Sequence, residues 1–143
     1  MFHTIMVAYD ESREAAHALA SAIELAKPLG AHLKIVTVVE ALPALYNIAA
    51  IISPPVVDES LEGKRNQLRT LQQSAVKRAT AAGVNADAIL VDGGEVSVIV
   101  RAAQREHADL LVIGHPKHHR LRAFISTARE VADNTPCPLL EVY

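Results

Sequence analysis

The stretch Leu110-Leu-Val-Ile-Gly-His-Pro-Lys117 is the most informative part of this sequence. An apolar run ends on a glycine, a basic loop follows, and a helical pattern begins near Ser126. This order predicts a buried strand that leads through a loop into a helix. Because free N–H groups at a helix N-terminus attract negative charge, the junction is a candidate anion or nucleotide pocket. The loop lacks the further glycines that close contact with a phosphate usually needs.

Composition narrows the class of protein. The 143 residues suit one domain, spanning 1–143. Half of them are hydrophobic, mostly aliphatic, and only 3% are aromatic. This composition favours helices packed on a buried parallel sheet, and it argues against aromatic platforms for single-stranded nucleic acid. With a formal net charge of −2, no nucleic-acid partner is expected.

The sequence also indicates the compartment. Cys137 is the single cysteine, which excludes an internal disulfide and indicates a reducing environment. We read Cys137 itself as a small packing residue. The N-terminal residues do not resemble a signal peptide, and no apolar run approaches the roughly 20 residues that span a bilayer. A cytoplasmic protein without a membrane partner is therefore expected.

The hydrophobic pattern alternates between strands and helices along the whole chain. It predicts strands at 5–8, 33–39, 88–91, 110–113 and 139–143. It predicts helices from Ser12 to the Pro28–Gly30 boundary and at 58–82, 95–107 and 124–133. Asp92-Gly-Gly94 is interpreted as a turn, and the prolines of 40–57 argue against one continuous element there. This order predicts a single doubly wound α/β domain, a parallel sheet with helices on both faces.

In open sheets of this class, ligands bind beyond the carboxyl ends of the strands, where the strand order reverses. If the first and fourth strands are neighbours, Asp10 and Gly114 flank that crevice.

Three stretches carry a resemblance to a known family. Ile5-Met-Val-Ala-Tyr-Asp-Glu-Ser12, Ala108-Asp-Leu-Leu-Val-Ile-Gly-His115 and Ser126-Thr-Ala-Arg-Glu-Val-Ala132 resemble the universal stress protein family, as does the ending Pro136-Cys-Pro-Leu-Leu140. The resemblance covers essentially the whole chain. It implies an adenine-nucleotide alpha-hydrolase-like fold with a five-stranded parallel sheet in the order 3-2-1-4-5. It also implies a homodimer that pairs through the terminal strand, 139–143.

That family divides into ATP-binding and non-binding branches, and this chain departs from the binding pattern. The binding branch carries a glycine, two residues, a glycine, nine residues, then Gly-Ser or Gly-Thr. Gly114 matches the first glycine and Ser126 the final Ser or Thr, but Lys117 and Ile125 replace the other two glycines. The interval 118–124 is also two residues too short. Since a β-branched residue cannot readily adopt a glycine-only conformation, weak or absent ATP binding is expected.

The resemblance also gives a candidate nucleotide-binding set. Asp10 corresponds to the position that contacts adenosine, and Val38 to the one beside adenine. Together with Gly114, Lys117 and Ser126, these residues would bind ATP or AMP. Simpler roles remain open, because Asp10 and Ser126 suit helix caps and Val38 suits the core.

The basic loop 115–122 has two further interpretations. It could clamp a phosphate or an acidic partner, or it could be a solvated basic loop. A metal site from His115, His118 and His119 is disfavoured by the adjacent cations, so no metal is predicted.

No residue set combines a nucleophile, a base and an orienting group, so no catalytic residue is predicted and the chain is not expected to be an enzyme. The sequence favours a stress-response regulatory or binding module with an unknown protein partner. The alternatives are an ATP/AMP-binding signalling module with slow hydrolysis at the Asp10/Gly114 crevice, and an interaction protein that uses 40–57.

Overall fold

The computed structural model describes residues 1–40, 51, 54–115 and 129–143. Five strands and three helices are bounded within these ranges, and residues 129–134 are also helical. In chain order the elements are β1 (Thr4–Ala8), α1 (Arg13–Leu29), β2 (His32–Glu40), α2 (Pro54–Ala81), β3 (Ala86–Gly93), α3 (Glu95–Arg105), β4 (Leu110–Gly114) and β5 (Leu139–Val142).

The five strands form one sheet in the order β3-β2-β1-β4-β5, and every neighbouring pair is parallel. This confirms the predicted sheet order and the doubly wound class. β1 is the strand at which the order reverses, since β2 lies on one side of it and β4 on the other. β3 and β5 are the two edge strands.

Two hydrophobic clusters lie on opposite faces of the sheet. On one face, the alternate strand residues Ile5, Leu33 and Val112 pack against α1 and α2. On the other, Met6 and Leu111 pack against α3 and the helical residues 129–134. The sheet is thus buried from both sides, which explains why its central strands read as nearly continuous apolar runs.

The ends of α1 follow their predicted signals. Ser12 is the N-cap, and its side chain accepts the N–H of Ala15 at 3.1 Å. Gly30 is the C-cap, with a φ of 61° in the left-handed region that favours glycine. Pro28 lies within the last turn rather than marking the end.

Other predicted boundaries were wrong by a few residues. α2 begins at Pro54, not Asp58, because prolines are tolerated in the first turn of a helix, where their missing N–H has no partner to lose. Asp92 and Gly93 still belong to β3, and only Gly94, the N-cap of α3, lies outside it. α3 ends at Arg105 rather than His107, whose φ is 52°.

Two predictions fall partly outside the described residues. These are the segment 40–57, of which 41–50 and 52–53 are not described, and the start of the last helix at Phe124. Among the helices that the structure describes, none is long and apolar enough to cross a membrane.

Candidate functional site

The predicted crevice lies where the carboxyl ends of β1 and β4 meet. Val7 pairs with Val112 in the parallel register, so Asp10 and Gly114 both follow shortly after that pair. The structure therefore brings these two predicted residues to one edge of the sheet. Lys117 and Ser126, with the rest of the basic loop after His115, lie outside the described residues.

Asp10 shapes the start of α1. Its Oδ1 accepts the N–H of Ser12 at 2.8 Å, and Ser12 in turn caps the helix. Asp10 therefore lies in the turn into α1, as its simpler interpretation predicts, but the helix cap itself is Ser12 and not Asp10. The carboxylate is exposed at the carboxyl edge of the sheet, so this turn does not bury it away from a ligand.

A buried hydroxyl fixes the course of the chain between β1 and Asp10. Thr37 is 1% exposed, and its Oγ1 donates to the carbonyl oxygen of Tyr9 at 2.8 Å. The N–H of Tyr9 donates to the carbonyl of Val36 at 2.9 Å. Residue 9 is thus held to β2 from both of its backbone groups, which sets the position from which Asp10 leaves the sheet. No signal in the sequence distinguishes Thr37, because a threonine inside a β-branched strand looks like any other core residue.

Gly114 packs against the first turn of α1. A Cβ built on Gly114 would lie 2.5 Å from both the carbonyl carbon and the oxygen of Glu14, and 2.9 Å from the backbone nitrogen of Ala15. These atoms belong to the helix backbone and cannot swing aside. The φ of Gly114 lies outside the left-handed region. Close approach between β4 and α1 thus requires glycine here whether or not a phosphate binds.

Val38 lies in β2, and its half-buried side chain packs against the cluster that contains Met6 and Ile99. This is the packing role that the sequence analysis left open beside an adenine contact. Cys137 is partly buried against the same cluster, as its interpretation as a packing residue predicts.

His115 is tied to β5 and to Tyr143, the residue after it, by three contacts. Its backbone N–H donates to the carbonyl oxygen of Val142 at 2.7 Å, and its Nδ1 is in close contact with Oε1 of Glu141. Its ring lies against that of Tyr143, with the centroids 4.4 Å apart and the planes inclined by 32°. The residue that opens the basic loop is therefore anchored to the edge strand. The sequence pattern pointed to anion or metal binding at His115 and gave no signal of this anchor.

Metal binding gains no support from the part of the chain that the structure describes, where no group of three or more metal-ligating side chains comes together. Of the three histidines weighed as ligands, His118 and His119 lie outside the described residues.

An ionic network lies at the opposite, amino end of β2 and β3. Nζ of Lys34 is 3.1 Å from Oδ2 of Asp87 and 3.7 Å from Oε2 of Glu106, and Nε2 of His32 is 2.8 Å from the same oxygen of Asp87. The hydrogen bond from Lys34, followed by its positive charge and the contribution of His32, holds the pKa of the Asp87 carboxyl below its ordinary value of 3.8. Partial burial of the Asp87 carboxyl opposes this shift but does not cancel it.

This network predicts a small stabilisation that acid removes. Because the pKa of Asp87 is lower in the folded protein than in the unfolded chain, its contribution is complete above about pH 4 and is lost as the pH falls through the folded value. Asp87→Asn should therefore lower the free energy of unfolding near neutral pH by about 0.2–1 kcal/mol, the usual worth of an exposed ion pair. Urea unfolding at several pH values should show that the difference in the free energy of unfolding between Asp87→Asn and the wild-type protein disappears below about pH 4. If the difference in the free energy of unfolding persists at low pH, the ion pairs of Asp87 are not its cause.

Comparison with known proteins places this geometry in a family. The model of the universal stress protein family matches residues 1–142. A universal stress protein of Thermus aquaticus is 33% identical over 144 residues, covering 99% of each chain. The fold, with its crevice at the reversal point of a five-stranded parallel sheet, is that of a doubly wound α/β protein. The chain belongs to the universal stress protein family.

Two solved structures with this fold carry nucleotides. A universal stress protein in complex with cAMP is 25% identical and has a TM-score of 0.75, with 99% of this chain and 97% of that chain covered. A universal stress protein family protein of Arabidopsis thaliana with AMP bound is 16% identical and has a TM-score of 0.71, with coverage of 98% and 90%. At 16% identity the second likeness shows the fold alone.

Proposed function

We propose that this protein is a regulatory or binding module of the universal stress protein family that binds ATP weakly or not at all. The close packing of Gly114 against the backbone of α1 is the observation that supports this proposal. Contact with the backbone of Glu14 is a sufficient reason for glycine at 114, so the one glycine that the chain shares with the ATP-binding pattern is not evidence for a phosphate site. Lys117 and Ile125 stand where that pattern has its other glycines. The module therefore acts through a protein partner rather than through catalysis.

An adenine-nucleotide module is the second candidate function. The solved complex with cAMP favours it, since that protein shares the fold of this chain and is 25% identical to it. In this alternative, the exposed carboxylate of Asp10 contacts the nucleoside, and Lys117 supplies charge where the family has a glycine amide. Hydrolysis, if this module performs it, is slow.

A nucleotide titration separates the two functions. We expect the unfolding temperature of the wild-type protein to stay within about 1 °C when ATP, AMP or cAMP is added with magnesium at about 1 mM. A ligand at 100 times its dissociation constant adds about 2.7 kcal/mol to the free energy of unfolding, which would shift the midpoint by several degrees.

The matched variants for this titration are Lys117→Ala and Lys64→Ala, the second removing an exposed lysine of α2. A saturable rise that disappears in Lys117→Ala and survives in Lys64→Ala would establish the nucleotide module in place of the proposed function. Nucleotide retained through purification, detected by native mass spectrometry and denaturing extraction, would have the same meaning.

A homodimer through the terminal strand is part of the proposal. β5 is an edge strand, and its residues Leu139–Val142 are only partly buried. The carbonyl groups of Pro138 and Val142 accept N–H groups from β4, at 2.9 Å from Leu111 and 2.7 Å from His115. Because alternate residues of a strand bond to the same neighbour, Leu139 and Glu141 direct their backbone groups away from the sheet. A second copy can pair with these groups and extend the sheet across a two-fold axis.

A further inference from the structure

The outer edge of β3 is a second row of backbone groups without a neighbouring strand among the described residues. The strand is eight residues long, twice the length of β5. The N–H of Leu33 donates to the carbonyl oxygen of Asn85 at 2.9 Å, so the odd-numbered residues of β3 face β2. Ala86, Ala88 and Leu90 therefore direct their N–H and C=O groups outward. Natural edges are often blunted by lysine or proline, and β3 contains neither.

A groove of about 290 Å³ runs between this edge and α2, lined by Arg69, Gln72, Gln73, Ala88 and Leu90. Gln72 forms its inner wall. It is 4% exposed, and its Nε2 donates to the carbonyl oxygen of Ile89 at 2.7 Å and lies 3.4 Å from that of Ile35. These contacts hold α2 over β2 and β3, so that Arg69 and Gln73 stand beside the edge strand. The volume suits one or two side chains rather than a whole cofactor.

Charge at this edge favours an acidic partner. The two acidic residues of β3 are both paired, Asp87 with Lys34 and Asp92 with Arg65. Arg69 is exposed in the groove, and its side chain bonds to Oδ1 of Asn66 at 3.3 Å rather than to any carboxylate of the described side chains. Residues 61–81 carry five basic side chains and one acidic side chain, although the whole chain has a net charge of −2. Both carboxylates of β3 thus have cationic partners, and among the described side chains no carboxylate pairs with the guanidinium of Arg69 beside them.

We infer that an extended, acidic segment of a partner protein adds a strand to the outer edge of β3, with a carboxylate in the groove bound by Arg69 and Gln73. Backbone hydrogen bonds to Ala88 and Leu90 supply affinity, and alternate side chains of the added strand supply specificity. A guanidinium is suited to bind a carboxylate through two hydrogen bonds. This inference rests on the proposed function as a protein-binding module and assigns that module its docking surface.

The test uses two labelled heptapeptides, one in which valine alternates with glutamate and one in which valine alternates with lysine. Fluorescence polarisation should show the wild-type protein binding the glutamate peptide at least about tenfold more tightly, a difference of about 1.4 kcal/mol. Arg69→Glu should reverse this preference. Arg101→Glu makes the same charge change at an exposed position of α3, which packs on the opposite face of the sheet, and should leave the preference intact.

Hydrogen exchange locates the bound strand. The glutamate peptide should slow exchange at the amides of Ala88 and Leu90, and Ala88→Pro should abolish binding of both peptides. That proline removes an N–H that faces outward, so the pairing of β3 with β2 is retained and far-UV circular dichroism should be unchanged.

Several results would overturn the inference. One is that neither peptide binds at about 1 mM. A dissociation constant of that size corresponds to a binding free energy of only about −4 kcal/mol. Another is protection at Leu139 and Glu141 in place of β3. Protection of Ala88 and Leu90 that depends on protein concentration without peptide would assign the edge to a second copy, and protection of α2 alone by oligothymidylate would assign the basic surface to nucleic acid. None of these results depends on the nucleotide titration. The peptide experiments can therefore contradict the docking surface while the titration supports weak or absent nucleotide binding, and the titration can contradict the proposed function while the peptide experiments support the docking surface.

Discussion

Gly114→Ala should lower the free energy of unfolding by about 3 kcal/mol, at the upper end of the usual cost of overpacking. The new methyl group would stand 2.5 Å from the carbonyl carbon and oxygen of Glu14, a distance that real contacts do not reach. Both atoms lie in the backbone of α1, so relief requires the helix to move away from β4. Urea unfolding followed by circular dichroism measures the loss directly.

Gly63→Ala is the matched control for this substitution. Gly63 lies inside α2 and is exposed, and a Cβ built on it meets no described atom within 4 Å other than its chain neighbours and the backbone of its own helix. Since alanine is the better helix former, this variant should gain about 0.5–1 kcal/mol. The same substitution should thus lower the free energy of unfolding at position 114 and raise it at position 63.

If Gly114→Ala unfolds like the wild-type protein, the close approach of β4 and α1 is not what requires glycine at 114. The remaining reason would be a ligand at the crevice, and the nucleotide-binding alternative would gain the support that the proposed function now has.

The helices and strands were predictable because they depend on local patterns. The ends of α1 are decided by chemistry within four residues of each end, and the caps at Ser12 and Gly30 confirm the predicted start at Ser12 and the predicted end by Gly30. The alternation of strands and helices leads to a parallel sheet with right-handed crossovers, and the family resemblance supplied the strand order. The predicted start of α2 is too late because Pro54 resembles a residue that breaks a helix. In a sequence, a proline in the first turn of a helix looks the same as a proline that follows the end of one.

The candidate site was predictable only in outline. Asp10 and Gly114 follow their strands directly, so the sheet order alone brings them to one edge. The contact of Gly114 with Glu14 joins positions 100 residues apart, and it depends on how closely a helix docks on the sheet. No local pattern encodes such a distance. From the sequence alone, a glycine after an apolar strand is therefore equally consistent with a phosphate contact and with close packing against a helix.

The anchoring of His115 was hidden for a related reason. Its contacts with Glu141 and Tyr143 follow from the register that pairs Gly114 with Val142, and that register is set by the packing of β5 against the core. In the sequence, His115 stands in a cluster of basic residues, which drew attention to anion and metal binding. Only the pairing of the strands shows that the first residue of the loop is held by the edge of the sheet.

Glu141→Pro should convert the proposed dimer into a monomer, raising the dissociation constant of the dimer by about 100-fold or more. The N–H of residue 141 faces away from β4, because the neighbouring carbonyl of Val142 accepts from His115 inside the sheet. Proline at 141 therefore removes a donor from the outer edge and places a ring against an incoming strand, while the bonds between β4 and β5 are retained. Sedimentation velocity across the micromolar range measures the change.

The control for this variant is Glu141→Thr, which also removes the contact between Glu141 and His115 but keeps the outward N–H and suits a strand. Threonine should leave the dimer within about threefold of the wild-type affinity, a difference of well under 1.4 kcal/mol. If both variants dissociate equally, the side chain of Glu141 and its partner His115 hold the interface rather than the backbone edge. If the wild-type protein is already monomeric at these concentrations, the edge of β5 has another use. The outward groups of Leu139 and Glu141 would then join those of β3 as a second surface on which a partner strand can add.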